Sequence, residues 1–247
     1  MRVLIISPLK NEAFWLPRHL KAWEKVDYPR DQIRWVIQLG RSIDMTEKIL
    51  RNYFKKHKWN VEIYPDPKHF NPTGSAMFLA DVVNEFKKYY KEEDFIVLDD
   101  GDTVGLPKAF LKELIKLDLD IVAPSIWIEK RNPPTFFDTY VFRTLDGSRF
   151  PPIGIPYKDS KLPIQLGSVG TTVLIKGNIF KEIPFENPIP TLQFCRNARK
   201  AGYKVWFAPW VNVYHADIEK ERSEYHQPLE WYVRQGRIPK EMLEKVK

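Results

Sequence analysis

Short continuous apolar runs take turns with apolar stripes at helical spacing through the first half of the chain. Arg2–Ser7 (RVLIIS), Arg34–Leu39 (RWVIQL), Val61–Tyr64 (VEIY), Phe95–Leu98 (FIVL) and Asp120–Trp127 (DIVAPSIW) read as strands. Between them, Leu16, Leu20 and Trp23 form one stripe, and Ile49, Leu50, Tyr53 and Phe54 a second. Ala76, Leu79, Ala80, Val83 and Phe86 form a third, and Phe110, Leu111, Leu114 and Ile115 a fourth. Repeats at three and four residues place such positions on one helix face. Asp44 and Glu47 have the spacing of a capping box, and Pro107 suits the first turn of the helix after the fourth strand. Strands joined by helices through short connections predict an α/β fold with a mainly parallel sheet flanked by helices.

The pattern changes after Trp127. Glu129–Pro163 is rich in Pro, Gly, aromatic and charged residues and has little period, so it reads as a long functional loop or a segment ordered by a ligand. Regular patterning resumes at Gly170–Ile175 (GTTVLI), at a helix from Thr191 to Ala201 stopped by Gly202, and at KVWFAP and VNVYH. With no linker in sight, residues 1–247 are expected to form a single domain. It divides into a regular half, 1–127, and a loop-rich half, 128–247, with the long loop at 129–163.

Composition narrows the picture modestly. The 247 residues include 43% hydrophobic types, enough for a sizeable core. No apolar run reaches membrane-spanning length, and the run in MRVLIIS is too short for a secretory signal, so a cytoplasmic protein is expected. The lone Cys195 excludes an internal disulfide and, within LQFCRNARKAG, suits burial better than nucleophilic catalysis. A formal charge of +7, from 39 basic and 32 acidic residues, is compatible with phosphates or an anionic surface, including peripheral contact with a membrane. Much of it falls in patterns such as EFKKYYKEED, which read as solvated helix faces. The aromatic residues occupy core-type positions, so a nucleic-acid partner is not expected. The terminal WYVRQGRIPKEMLEKVK reads as a solvated tail before a membrane-surface helix.

The candidate chemistry centres on VLDDGDTVGLP, Val97–Pro107. Asp99, Asp100 and Asp102 crowd the end of the fourth strand, and the carboxyl ends of strands are where α/β sheets bind ligands. Two carboxylates on either side of a glycine can aim at one hard cation such as Mg²⁺ or Mn²⁺; equally, Asp102 or Thr103 can cap the next helix. His215, ending VNVYH, can complete a metal shell or be an ordinary surface histidine. His19, His57, His69 and His226 read as surface or packing residues. SPLKNE (Ser7–Glu12) and GRSIDMT (Gly40–Thr46) follow the first two strands, where they can meet a nucleotide or simply start helices. There is no GxxxxGK[ST], GxGxxG or GxSxG motif, which argues against kinases, nicotinamide-dependent dehydrogenases and serine hydrolases.

Taken in order, SPLKNEAFWLPRHL, GRSIDMTEKIL, VLDDGDTVGLPKAFLKEL and ARKAGYKVWFAPWVNVYH resemble the layout of GT-A glycosyltransferases of family 2. SPLKNEAFWLPRHLKAWEKVDYPRDQI, DIVAPSIW and VGTTVLIKGNIFKEIPF are similar, more closely, to the fungal mannan polymerase family of α-mannosyltransferases. The resemblance runs from Arg2 to about His215 and implies a GT-A fold and a metal-dependent hexosyltransferase. Mannose or glucose would move from a nucleotide-diphosphate sugar to a hydroxyl of a glycan, lipid or small molecule. It implies that Asp100, Asp102 and His215 hold a divalent ion, Mn²⁺ or Mg²⁺, with Asp102 also catalytic. Pro8, Asn11, Ser42 and Asp44 would line the nucleotide pocket, and Asp99 would contact ribose or sugar. The chain departs from family 2 in two places. Gln38, Leu39, Gly40 and Arg41 stand where an acidic residue usually meets the base, and Pro190 and Thr191 stand where inverting members carry a Glu-Asp pair. Either Glu186 substitutes as catalytic base or the departing phosphate assists a retaining transfer, the outcome the mannan polymerase resemblance favours. A sugar-nucleotide pyrophosphorylase fits less well, since SPLKNE has neither Gly nor Arg. A non-catalytic basic module is the reading from another class.

Overall fold

The computed structural model describes residues 1–66, 79–133, 135–150 and 161–217. β1 (Val3–Leu9) is an inner strand whose side chains alternate between two cores. Val3 and Ile5 pack in one, Leu4 and Ile6 in the other. A strand covered on both faces has no polar side to show, which is why the strand sequences read as unbroken apolar runs. Each fully buried Leu or Ile adds about 1.5–3 kcal/mol.

β2 (Ile33–Gly40), β3 (Asn60–Asp66) and β4 (Phe95–Leu98) complete a parallel set in the order β3-β2-β1-β4. α1 (Leu16–Glu24), α2 (Thr46–Lys56) and α4 (Phe110–Ile115) cover one face, with Leu20, Trp23, Leu50 and Phe110 in that core. α3 (Leu79–Glu85), α5 (Gly177–Glu182) and α6 (Pro190–Lys200) cover the other, through Val83, Phe180, Phe194 and Cys195. Burial pushes the Cys195 thiol up to about 12, which leaves it inert as a nucleophile.

Beyond β4 the sheet becomes mixed. β8 (Val173–Lys176) runs antiparallel to both β4 and β6 (Ile121–Ile128), and β6 pairs in parallel with β9 (Val205–His215). The free side of β9 carries β7 (Ile164–Leu166) on its first half and β5 (Thr103–Gly105) at its end, both antiparallel. The β6–β9 register jumps between Pro124↔Ala208 and Ser125↔Asn212, so Pro209, Trp210 and Val211 bulge out of the ladder. Pro209 lacks the N–H a ladder needs. KVWFAP and VNVYH, expected as two strands, are therefore one bulged strand.

Other expectations shift locally. The Asp44–Glu47 capping box is not formed: Asp44 makes a turn onto Thr46, and Glu47 pairs with Arg51 on the helix surface. Pro107 lies ahead of α4, its carbonyl accepting Phe110 N, so neither Asp102 nor Thr103 caps that helix; Thr103 opens β5. Ala76, His69, His226 and the C-terminal tail lie outside the described residues.

Candidate functional site

Asp99 is the hub beneath the acidic turn. Its side chain has no exposure, and Oδ2 accepts from Ser7 Oγ at 3.1 Å and Trp23 Nε1 at 3.1 Å. Trp35 Nε1 donates in turn to Ser7 Oγ at 2.9 Å. His19, expected at the surface or in packing, is fully buried with Nε2 3.1 Å from Asp99 Oδ2, while Nδ1 lies 2.8 Å from the Thr103 carbonyl. A carbonyl only accepts, so Nδ1 carries a proton, and the carboxylate favours a second on Nε2. Burial works against the imidazolium, yet Asp99 outweighs it and raises the His19 pKa. Asp99, expected on ribose or sugar, is thus turned inward. His19 completes the stripe of Leu16, Leu20 and Trp23, and that spacing was the available signal for it.

The turn itself is tight. A Cβ on Gly101 would lie 2.5 Å from Leu9 Cδ2 and 3.0 Å from Glu12 Cγ, so any side chain here would have to displace Leu9 and Glu12. Glu12, absent from the sequence candidates, is consequently packed over the turn, with its carboxylate accepting from Trp15 Nε1. Burial raises its pKa well above the ordinary value, and Asp102, Asp44 and Asp100 add to this against the Trp15 hydrogen bond. Asp100 is pushed up to about 7, first by burial and then by Asp102 and Asp99, with His215 and the Thr171 hydroxyl opposing.

At the far end of β9, His215 Nε2 lies 2.9 Å from Asp102 Oδ1, and Nδ1 is 2.8 Å from the Ala216 carbonyl. Burial lowers the His215 pKa, but Asp102, with Asp100, raises it overall. The ring stacks on Phe137, centroids 3.5 Å apart. Phe137 and its neighbour Asp138 come from the segment after β6, and Asp138 Oδ2 occupies the space where a Cβ on Gly170 would stand, 1.5 Å away. Thr171 follows, its N–H 3.3 Å from Asp138 Oδ2 and its hydroxyl on Asp100. Thr172 adopts φ 57, a conformation a β-branched residue avoids, and is held by its hydroxyl contact with Thr103 at 2.9 Å. Strained backbone therefore faces the acidic turn directly, in a stretch whose sequence reads as an ordinary strand.

The loops after β1 and β2 are laced together. Asn11, at φ 57, donates its N–H to Ser42 Oγ at 3.1 Å and accepts from Ile43 N at 2.9 Å. Asp44 accepts from Ala13 N and Thr46 N, both at 3.0 Å. Pro8 is half-buried at the register position opposite Gln38, whose Oε1 is buried with no hydrogen-bond partner among the described residues. Asn11, Ser42, Asp44, Asp100, Asp102 and His215 are thus gathered along one edge of the sheet. Glu186 is exposed in the α5–α6 connection, and no contact among the described residues joins it to Asp100, Asp102 or His215.

No three His, Cys, Asp or Glu side chains meet as a ready-made metal centre among the described residues. The donors nevertheless suit a hard divalent ion. Asp102 Oδ1 is buried without a hydrogen-bond partner among the described residues, His215 Nε2 stands beside it, and Asp100 carries a pKa raised by burial and then by Asp102 and Asp99.

The sheet and its flanking helices are those of the GT-A fold. A mannosyltransferase from Pyrobaculum calidifontis, solved with GDP-Man and Mn²⁺, superposes with a TM-score of 0.60 at 17% identity, over 87% of this chain and 56% of that one. A glycosyltransferase 25 family member of Drosophila melanogaster is 26% identical over 195 residues, 71% of this chain and 31% of that protein. An inactive glycosyltransferase 25 family member 3 of Mus musculus is 26% identical over 140 residues, 50% of this chain and 24% of that protein. The chain therefore spans a third or less of the curated relatives' length. These relatives bear the family 25 name, where the sequence resemblance pointed to the fungal mannan polymerases. No protein-family model matches the chain. Among the described residues no helix is long and apolar enough to cross a membrane.

Proposed function

We propose that the chain is a metal-dependent hexosyltransferase that moves mannose or glucose from a nucleotide-diphosphate sugar to the hydroxyl of a glycan, lipid or small molecule. The observation that carries this reading is the meeting of Asp102 and His215 at 2.9 Å, beside Asp100, on the ligand-binding edge of a GT-A sheet. Asp100, Asp102 and His215 would hold the divalent ion, which when bound offsets the charge on the leaving diphosphate. The edge of Pro8, Asn11, Ser42 and Asp44 receives the nucleotide, with the loops locked to each other before it arrives. Asp99 acts from below by fixing the turn, and Glu12 adds a fourth carboxylate to the cationic demand. Residues 1–127 supply the donor half, and the segment after β6 the acceptor half.

Because two relatives bear the name inactive, donor binding and turnover are measured separately. Thermal unfolding with UDP-glucose and GDP-mannose, each with and without Mn²⁺, tests the first. A sugar nucleotide at a hundred times its Kd stabilises by about 2.7 kcal/mol, or about 5–10 °C at this size. No Mn²⁺-dependent shift with either compound would remove the proposal.

A further inference from the structure

The carboxylate that would activate an acceptor is missing from its family 2 place, where Pro190 and Thr191 stand, and Glu186 is exposed and apart from the acidic edge. Asp138 reaches that edge from the acceptor side. Its neighbour Phe137 is stacked on His215 at 3.5 Å, and Thr171 bridges it to Asp100, N–H to Asp138 and hydroxyl to Asp100. The hydrogen bonds Asp138 accepts are long, 3.3 Å from Thr171 N and 3.4 Å from Val141 N, which leaves acceptor capacity on both oxygens. Gly170 provides the notch for this carboxylate, since any Cβ there would collide with it. Just beyond, the segment opens to solvent: Tyr140 is 52% exposed, with the Arg143 and Arg149 guanidiniums 5.0 and 5.6 Å from its ring.

Resting on the function proposed above, we infer that Asp138 is the catalytic base and that the transfer inverts the anomeric centre. As the acceptor oxygen bonds to the anomeric carbon, its proton passes to the Asp138 carboxylate. The bond from that carbon to the diphosphate oxygen breaks, and its electron pair leaves with the nucleoside diphosphate. Burial holds Asp138 above the ordinary carboxylate range, which strengthens it as a proton acceptor.

The test uses UDP-glucose and GDP-mannose with Mn²⁺, with water as acceptor. Asp138→Asn keeps the shape and one of the two accepting oxygens, so a mere loop staple loses one long hydrogen bond while most of its activity survives. A base does not: sugar release should fall by about 100-fold or more, with the Mn²⁺-dependent thermal shift unchanged. Azide needs no deprotonation and should restore turnover in Asp138→Ala, giving a glycosyl azide. The first product of the wild type, read by proton NMR, should carry inverted configuration, and this holds whether or not the variants fold. Activity of Asp138→Asn within about 3-fold of wild type, or a retained product, overturns the assignment while the donor reading stands. Wild type that neither binds nor cleaves any sugar nucleotide overturns both.

Discussion

In each of two imidazole–carboxylate pairs, Nδ1 meets a main-chain carbonyl, Thr103 for His19 and Ala216 for His215, while Nε2 faces an aspartate at 3.1 and 2.9 Å. His19 and Asp99 are wholly buried, whereas Asp102 keeps 18% of its side chain exposed. Asp99 Oδ2 accepts from both Ser7 and Trp23, whereas Asp99 Oδ1, like Asp102 Oδ1, has no hydrogen-bond partner among the described residues. Local geometry makes the two pairs look alike; what separates them is solvent access and the two side-chain donors that Asp99 Oδ2 already holds. The sealed pair underpins the turn, and the partly exposed pair is the one a ligand can reach.

The sharpest way to break this contrast is Asp99→Ala, which leaves His19, Ser7 and Trp23 without their buried acceptor and should cost about 3–5 kcal/mol in urea unfolding. Unchanged stability would show that the inner pair holds nothing. Asp102→Ala should do the reverse, leaving unfolding within about 1 kcal/mol of wild type while Mn²⁺-dependent sugar release falls by about 10²–10³-fold. Full activity in that variant would mean the site lies elsewhere. Trp23→Phe removes one donor to Asp99 and should cost about 1.5–3 kcal/mol with donor binding retained. The smallest effect is on pH. Because the His19 pKa is raised from 6.5, its stabilisation is fully present below that value and is lost as pH rises through the raised one. The stability gap between wild type and His19→Gln should therefore narrow from pH 6 towards pH 9; a gap that widens would show that the pair is not ionic.

The sequence was most readable where one period governs many residues. FIVL is β4 residue for residue, and the parallel set β3-β2-β1-β4 follows from runs that only a doubly covered sheet explains. Three-residue strands such as β5 and β7 carry no period of their own and were passed over. The Asp44 pattern was real but served a different turn, because its carboxylate binds Ala13 N across to the first loop, a contact no local window contains. His19 was within reach, on the buried stripe of α1, but a lone histidine was read as packing. Asp138 was out of reach, since the segment around it is ordered by Gly170, Thr171 and His215, all distant in sequence.

The bulge at Pro209–Val211 sets the phase of everything beyond it. Side chains alternate faces along a strand, so excising one residue there would flip Asn212, Val213, Tyr214 and His215 to the opposite side and shorten their reach by about 3.3 Å, with the pairing to β7 untouched. The length of this interruption therefore acts as a one-residue gauge on whether His215 meets Asp102, a property of spacing that no substitution at either residue would reveal.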